Sequence, residues 1–216
     1  MKVNYFFTKD IPAALTLDPE PISPDWKKQG YHLCYAHKWS VLNKFYLRSL
    51  IDCSFTYVKE GDKKGLRILD ESTQSLINSR FEDQVYEDKL VGQCEYNIVF
   101  YTEQSCFIEV QHSYKTPKHI KIISGKFDIS KWIRPIQIGF ELDRTDYVYN
   151  IKRNDILCEI AFYTNKINEP IQLNHVKNPD PKLLDLAQSN TKTTAYIKNT
   201  MRLIERGALY LKDILR

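Results

Sequence analysis

Glycine is scarce in this 216-residue chain: there are seven, and none lies within three residues of another. A glycine-rich phosphate loop needs several close together, so that backbone N–H groups can approach phosphate oxygens, and is excluded. The five cysteines, Cys34, Cys53, Cys94, Cys106 and Cys158, are odd in number and nowhere form C-x-x-C, which argues against a zinc knuckle or a redox pair. They read as reduced, mostly buried thiols. The five histidines form no H-x-H, H-x-D or H-x-E triplet. Glu109 and His112, three apart, would face opposite sides of a regular strand. No metal and no cofactor is therefore expected. A Gly-x-Ser-x-Gly nucleophile elbow is also missing. No apolar run approaches the roughly eighteen residues of a membrane span, and that of MKVNYFFTKD is too short for a signal peptide, so no membrane is expected as a partner. Neither sign of charge dominates, with 31 Lys and Arg against 27 Asp and Glu for a formal +4. The densest basic groups, Lys27-Lys28, Lys63-Lys64 and Lys115 to Lys121, are short and interrupted, and nucleic acid is not expected as a partner.

What the chain does have is rings. Hydrophobic residues make up 43% and aromatics 12%, with fourteen tyrosines and ten phenylalanines against two methionines. Such a composition suits a strand-rich core, because rings fit a pleated surface. Lys2 to Thr8 reads as a first strand, and Pro12, Pro19, Pro21 and Pro24 then rule out helix or central strand over most of the following stretch. Asp52 to Lys59 alternates like a half-buried strand, Lys59 to Gly65 has the composition of a hairpin turn, and Leu66 to Leu69 returns. Glu71 to Gly92 is weakly patterned and reads as an irregular excursion with room for one short helix. Strong strand signals follow at Asn97 to Tyr101, Cys106 to Val110, His119 to Ile123, Ile136 to Leu142, Tyr147 to Ile151 and Ile156 to Tyr163. That spacing predicts a mainly β fold, a jelly-roll-like sandwich or a partly closed barrel.

After Asn178-Pro179-Asp180-Pro181 the period changes. Ile197, Met201, Ile204, Ala208, Leu211 and Leu215 recur at alternating steps of four and three, the seam of a helix. A β-sandwich domain over residues 1–175, with a Pro-rich surface loop near its start, and a helical appendage over 180–216 are expected. The appendage either docks on the sandwich or mediates self-association or contact with a protein partner.

The richest stretch runs from Tyr114 to Tyr163. Its Lys115-Thr116-Pro117 turn, Gly125-Lys126-Phe127-Asp128, Trp132-Ile133-Arg134-Pro135 and Ile151-Lys152-Arg153-Asn154-Asp155-Ile156-Leu157 resemble a family of uncharacterised proteins encoded by tailed phages, especially marine ones, and by some bacteria. Pro19-Glu20-Pro21 and Pro24-Asp25-Trp26 match an N-terminal stretch of that family, and Asn154 stands where its last loop usually has glycine. The resemblance implies a phage-encoded accessory protein in the bacterial cytoplasm or the virion, not secreted, and carries no activity with it. Gly125 to Asp128, the apolar strand after it and Ile151 to Phe162 are also similar in order to the trimeric dUTPase fold, in which an Asp of that hairpin orients a water. This likeness implies Asp128 as a candidate catalytic base. Lys131-Trp132-Ile133-Arg134-Pro135 departs from the family there, and its Arg-Ser-Gly phosphate motif is absent.

Alternate residues of an extended segment face one way, so Trp132 and Arg134 are candidates to clamp a planar or anionic ligand. Equally, they are candidates for a packed corner, with Arg134 paired to Asp128 or Glu141. Lys115 and His119 on the preceding turn would add positive charge. Two functions remain open at this stage. One is a non-enzymatic binding or assembly module; the other is a small-molecule, nucleotide-like binding protein or hydrolase of dUTPase-related fold using Asp128, Trp132 and Arg134.

Overall fold

The computed structural model describes residues 1–8, 15–23, 39–60, 63–70, 81–86, 89–144, 147–166 and 169–191. Three antiparallel-rich sheets account for most of them. The six-stranded sheet has the order β14 (Gln172–His175), β1 (Lys2–Phe7), β7 (Lys89–Tyr101), β11 (Pro135–Leu142) and β9 (Ile120–Ile123), with β6 (Phe81–Tyr86) also paired to β7. The five-stranded sheet has the order β10 (Gly125–Asp128), β8 (Cys106–Gln111), β13 (Ile156–Thr164), β3 (Lys44–Arg48) and β2 (Glu20–Pro21). A third sheet joins β12 (Val148–Ile151), β4 (Cys53–Glu60) and β5 (Lys63–Ile68).

Alternation dictates what each strand buries. Along β11, Ile136, Ile138, Phe140 and Leu142 enter the core while Gln137, Gly139 and Glu141 stay half-exposed. Along β8, Cys106, Ile108 and Val110 point in and Phe107, Glu109 and Gln111 point out. Inward rings from all three sheets form one core, including Tyr5, Phe55, Phe100, Phe140, Tyr149 and Phe162. Phe55 stacks on Tyr149 at 5.3 Å and Phe100 meets Phe162 edge-on at 5.4 Å, so the aromatic content lies between the sheets. The mainly β, jelly-roll-like sandwich expected from the sequence is what the chain forms; among the described residues no barrel closes.

Helix α1 (Pro181–Thr191) begins where the sequence signals a start. Asp180 caps it, its carboxylate accepting the Lys182 N–H at 2.8 Å, and Pro181 occupies the first helical position, where a missing N–H costs nothing. Leu183, Leu184 and Ala187 pack on Phe6, Val99, Tyr101 and Ile133, which places α1 on the outer face of the six-stranded sheet. The seam from Ile197 to Leu215 lies outside the described residues.

Three local readings change. Residues 81–86 and 89–92, read as irregular, are strand: β7 is held there by β6 on one side and β11 on the other, so two ladders override a weak local pattern. Gln172–His175 forms a parallel pair with the first strand, a partner its short polar sequence does not announce. Glu20–Pro21 pairs at the edge of the five-stranded sheet, where proline is tolerated.

Candidate functional site

Residues 129–134 carry the chain from β10 in one sheet to β11 in the other. Asp128 builds that crossing. Its Oδ1 accepts the Ser130 N–H at 2.9 Å and the Ser130 hydroxyl at 2.6 Å, its Oδ2 lies 3.3 Å from Lys131 Nζ, and its carbonyl accepts the Trp132 N–H at 2.9 Å. This is an Asx-type turn, in which a short carboxylate satisfies backbone donors that no strand can reach. Ile129 then drops into the main core and Ile133 under α1, leaving Trp132 and Arg134 on the other side of the segment.

The two do meet. The Arg134 guanidinium carbon lies 4.6 Å from the Trp132 ring centroid, and Trp132 contacts Phe127 edge-on at 5.7 Å. Arg134 is only 8% exposed, which is unusual for a charged group. Its Nε donates to Pro135 O at 3.4 Å and its Nη2 to Gln137 Oε1, and neither Asp128 nor Glu141 is its partner. Burial lowers the Arg134 pKa, opposed by the field of Glu95, which sits opposite Gln137 in the β7–β11 ladder. The indole Nε1 of Trp132 is buried without an acceptor.

A bulge lies beside this corner. Pro135 pairs with Val99 but Gln137 with Glu95, so β7 carries extra residues there, and Asn97 takes φ 61° short by one degree, at 60°, in the left-handed region. Thr8 clamps it, donating from Oγ1 to Asn97 Oδ1 at 3.0 Å and from its N–H to Asn97 O at 2.9 Å.

The remaining candidates lie elsewhere. Lys115 reaches the outer face of the five-stranded sheet, its Nζ 4.8 Å from the Tyr46 ring and 5.5 Å from the Tyr114 ring. Burial alone would lower its pKa, but the two tyrosines carry it above the usual lysine value. His119, in the left-handed region at φ 69°, pairs through Nδ1 with Asp143 Oδ2 at 3.1 Å and meets Tyr147 edge-on. The same outer face as Lys115 holds a group that sequence reading passed over. Lys126 Nζ lies 4.2 Å from the Tyr163 ring and 5.5 Å from the Phe107 ring, and Gln111 Nε2 donates to Tyr163 OH at 3.0 Å. Strand alternation marks Phe107 and Tyr163 as outward, but not as neighbours. For the bulge one signal existed: an asparagine inside the strongly apolar run NIVFY.

No protein family and no curated protein matches the sequence. Among solved structures, a dUTPase of Staphylococcus bacteriophage 80alpha with dUpNHpp is similar at 9% identity and a TM-score of 0.42, over 83% of this chain and 92% of that one. A dUTPase from phage phi11 of S. aureus is similar at 11% identity and a TM-score of 0.38, over 82% of this chain and 99% of that one. These likenesses are loose, and the fold described above rests on its own strand pairing. Among the described residues no group of three or more His, Cys, Asp or Glu side chains gathers as for a metal ion, and no helix is long and apolar enough to cross a membrane.

Proposed function

We propose that this protein is a non-enzymatic binding or assembly module, a phage-encoded accessory protein that meets a protein partner, a second copy in the first instance, on the outer face of its five-stranded sheet. The reading is carried by the exposure of Phe107, Tyr163 and Tyr114 on that side, at 38%, 39% and 80%, with lysine ammonium groups over all three rings. Rings of this kind offer large contact area at little rotamer cost and are enriched at interfaces. The seam of Ile197, Met201, Ile204, Ala208, Leu211 and Leu215 joins the proposal as a second contact element on its sequence spacing alone.

The alternative, a hydrolase of dUTPase-related fold, needs Asp128 to orient a water. Both Asp128 oxygens instead face Ser130 and Lys131, which speaks against that role. The Trp132–Arg134 contact speaks for a ligand at that corner without a reaction.

Light scattering on the full chain tests the proposal. A mass above 25.5 kDa is expected, falling toward the monomer when Phe107→Ser and Tyr163→Ser are combined, or when Ile204→Asp and Leu211→Asp are, with the melting temperature of the sandwich retained. A monomer that a small metabolite stabilises equally in wild type and in the ring variant overturns the proposal in favour of the ligand reading.

A further inference from the structure

Arg134 and Trp132 present donors that the fold itself leaves unused. The guanidinium commits Nε to Pro135 O and Nη2 to Gln137 Oε1, and among the described residues Nη1 has no acceptor. The indole Nε1–H next to it is buried and equally without one. Buried polar groups are satisfied in the great majority of proteins, so two orphaned donors in one contact pair call for an explanation.

The surroundings narrow what would satisfy them. Because the guanidinium already covers the indole at 4.6 Å, and Phe127 meets the same ring edge-on, a flat ligand sandwiched between Trp132 and Arg134 has no room. What remains available are in-plane N–H groups beside a positive charge. In-plane donors of this kind match the lone pairs of an oxyanion, and in a buried setting a charge-assisted pair is the strongest hydrogen bond a protein makes. Gln137 holds the fork from one side and the Pro135 carbonyl from another, so its orientation is set before any ligand arrives. Glu95 is the one acidic group acting on Arg134 in this structure; its field offsets part of the charge and favours a small, singly or doubly charged partner over a polyanion. The Asn97 bulge, strained at φ 60° and clamped by Thr8, re-aims β7 where Glu95 and Val99 face β11. Bulges and left-handed non-glycine residues concentrate at binding sites, where strain serves positioning.

We propose that the Trp132–Arg134 corner binds a small oxyanion, the carboxylate or phosphoryl group of a ligand, through Trp132 Nε1–H and the Nη1 edge of Arg134. This site lies on the six-stranded sheet and is independent of the partner surface proposed above.

Nuclear magnetic resonance of the full chain labelled with nitrogen-15 reads the orphaned donor directly. The protein has three tryptophans, so three indole N–H signals are expected, and Trp132→Phe, which keeps a ring under the guanidinium, assigns one by its loss. Sodium phosphate, sulfate and acetate are titrated against sodium chloride of equal ionic strength. The Trp132 signal should move saturably with at least one oxyanion and not with chloride, and Arg134→Lys should raise the midpoint about tenfold or more. A response to phosphate and sulfate alone identifies a phosphoryl site, and a response to acetate a carboxylate site. If Arg134→Lys fails to fold, the Trp132→Phe protein decides: its thermal stabilisation by the responding anion should fall to the chloride baseline. A Trp132 signal that follows chloride as closely as every oxyanion, or stabilisation undiminished in Trp132→Phe, overturns the proposal.

Discussion

Gly92 faces the Phe140 ring across the sandwich interior, and a methyl group there would lie 2.6 Å from Cε2 and closer still to Cζ. Gly92→Ala should cost about 1–3 kcal/mol through overpacking, read from the urea midpoint, and Phe140→Leu in the same chain should recover part of the loss. Asp128 makes the opposite point about a small polar side chain. It reads from sequence as a candidate base, but its Oδ1 holds both Ser130 donors. Ser130→Ala should therefore cost about 1 kcal/mol in thermal or chemical unfolding, the value of one hydrogen bond to a charged acceptor in a half-buried turn. At this scale sequence reading was accurate about conformation and weak about partners. Asn154, standing where a glycine is usual, takes φ 78°, and asparagine is the residue other than glycine that best tolerates that region. Nothing in a single residue type could have said that Arg134 turns to Gln137 and not to a carboxylate, because that choice depends on which strand runs alongside.

Elements were legible where local signals agreed with each other. Asp180 and Pro181 announce the start of α1, and Leu183, Leu184 and Ala187 give it one apolar face. Asp180→Ala should lower stability by about 1 kcal/mol through the lost cap. Leu184→Ala should lower it by about 2–5 kcal/mol, since Leu184 is buried against the outer face of the six-stranded sheet. Equal, small losses for both would show that the helix is capped but not docked. The β4–β5 hairpin was equally plain, its strands pairing as far as Glu60 and Lys63 around the expected turn. By contrast β6, the first part of β7, and β14 carry little local signal. They are strands because β7 offers ladder partners on both edges and because β1 offers one to β14 in parallel register. Pairing energy supplied by neighbours outweighs a propensity scale that spans only about 1 kcal/mol.

At the scale of the whole molecule, the cysteines behave as one set. Cys53, Cys106 and Cys158 are buried and unpaired, and Cys34 lies outside the described residues. Burial pushes the Cys53 thiol up to about 11 and the Cys106 thiol up to about 12, from an ordinary value of 9.0, and raises Cys158 as well. The folded state therefore holds these protons more tightly than the unfolded chain. Their contribution to stability is complete below pH 9 and is lost as pH rises through 9 toward 12, by up to about 1.4 kcal/mol per pH unit for each thiol. Urea midpoints should be level from pH 7 to 8.5 and fall between pH 9 and 11; a midpoint that stays level to pH 11 would show thiols exposed to solvent. Composition and alternation by themselves determined that this chain is a β-sandwich with a capped helix after it, with rings inside and free thiols, because period, turn chemistry and ring content act over a few residues. Tertiary structure alone decided that Trp132 and Arg134 sit beside a clamped bulge, that Lys126 covers two rings, and that Lys115 and His119 go to other places. A strand's pattern tells which face a residue occupies. Its neighbour on that face is set by register and sheet order, and these depend on pairs as distant as Asn4 and Asn174, 170 residues apart.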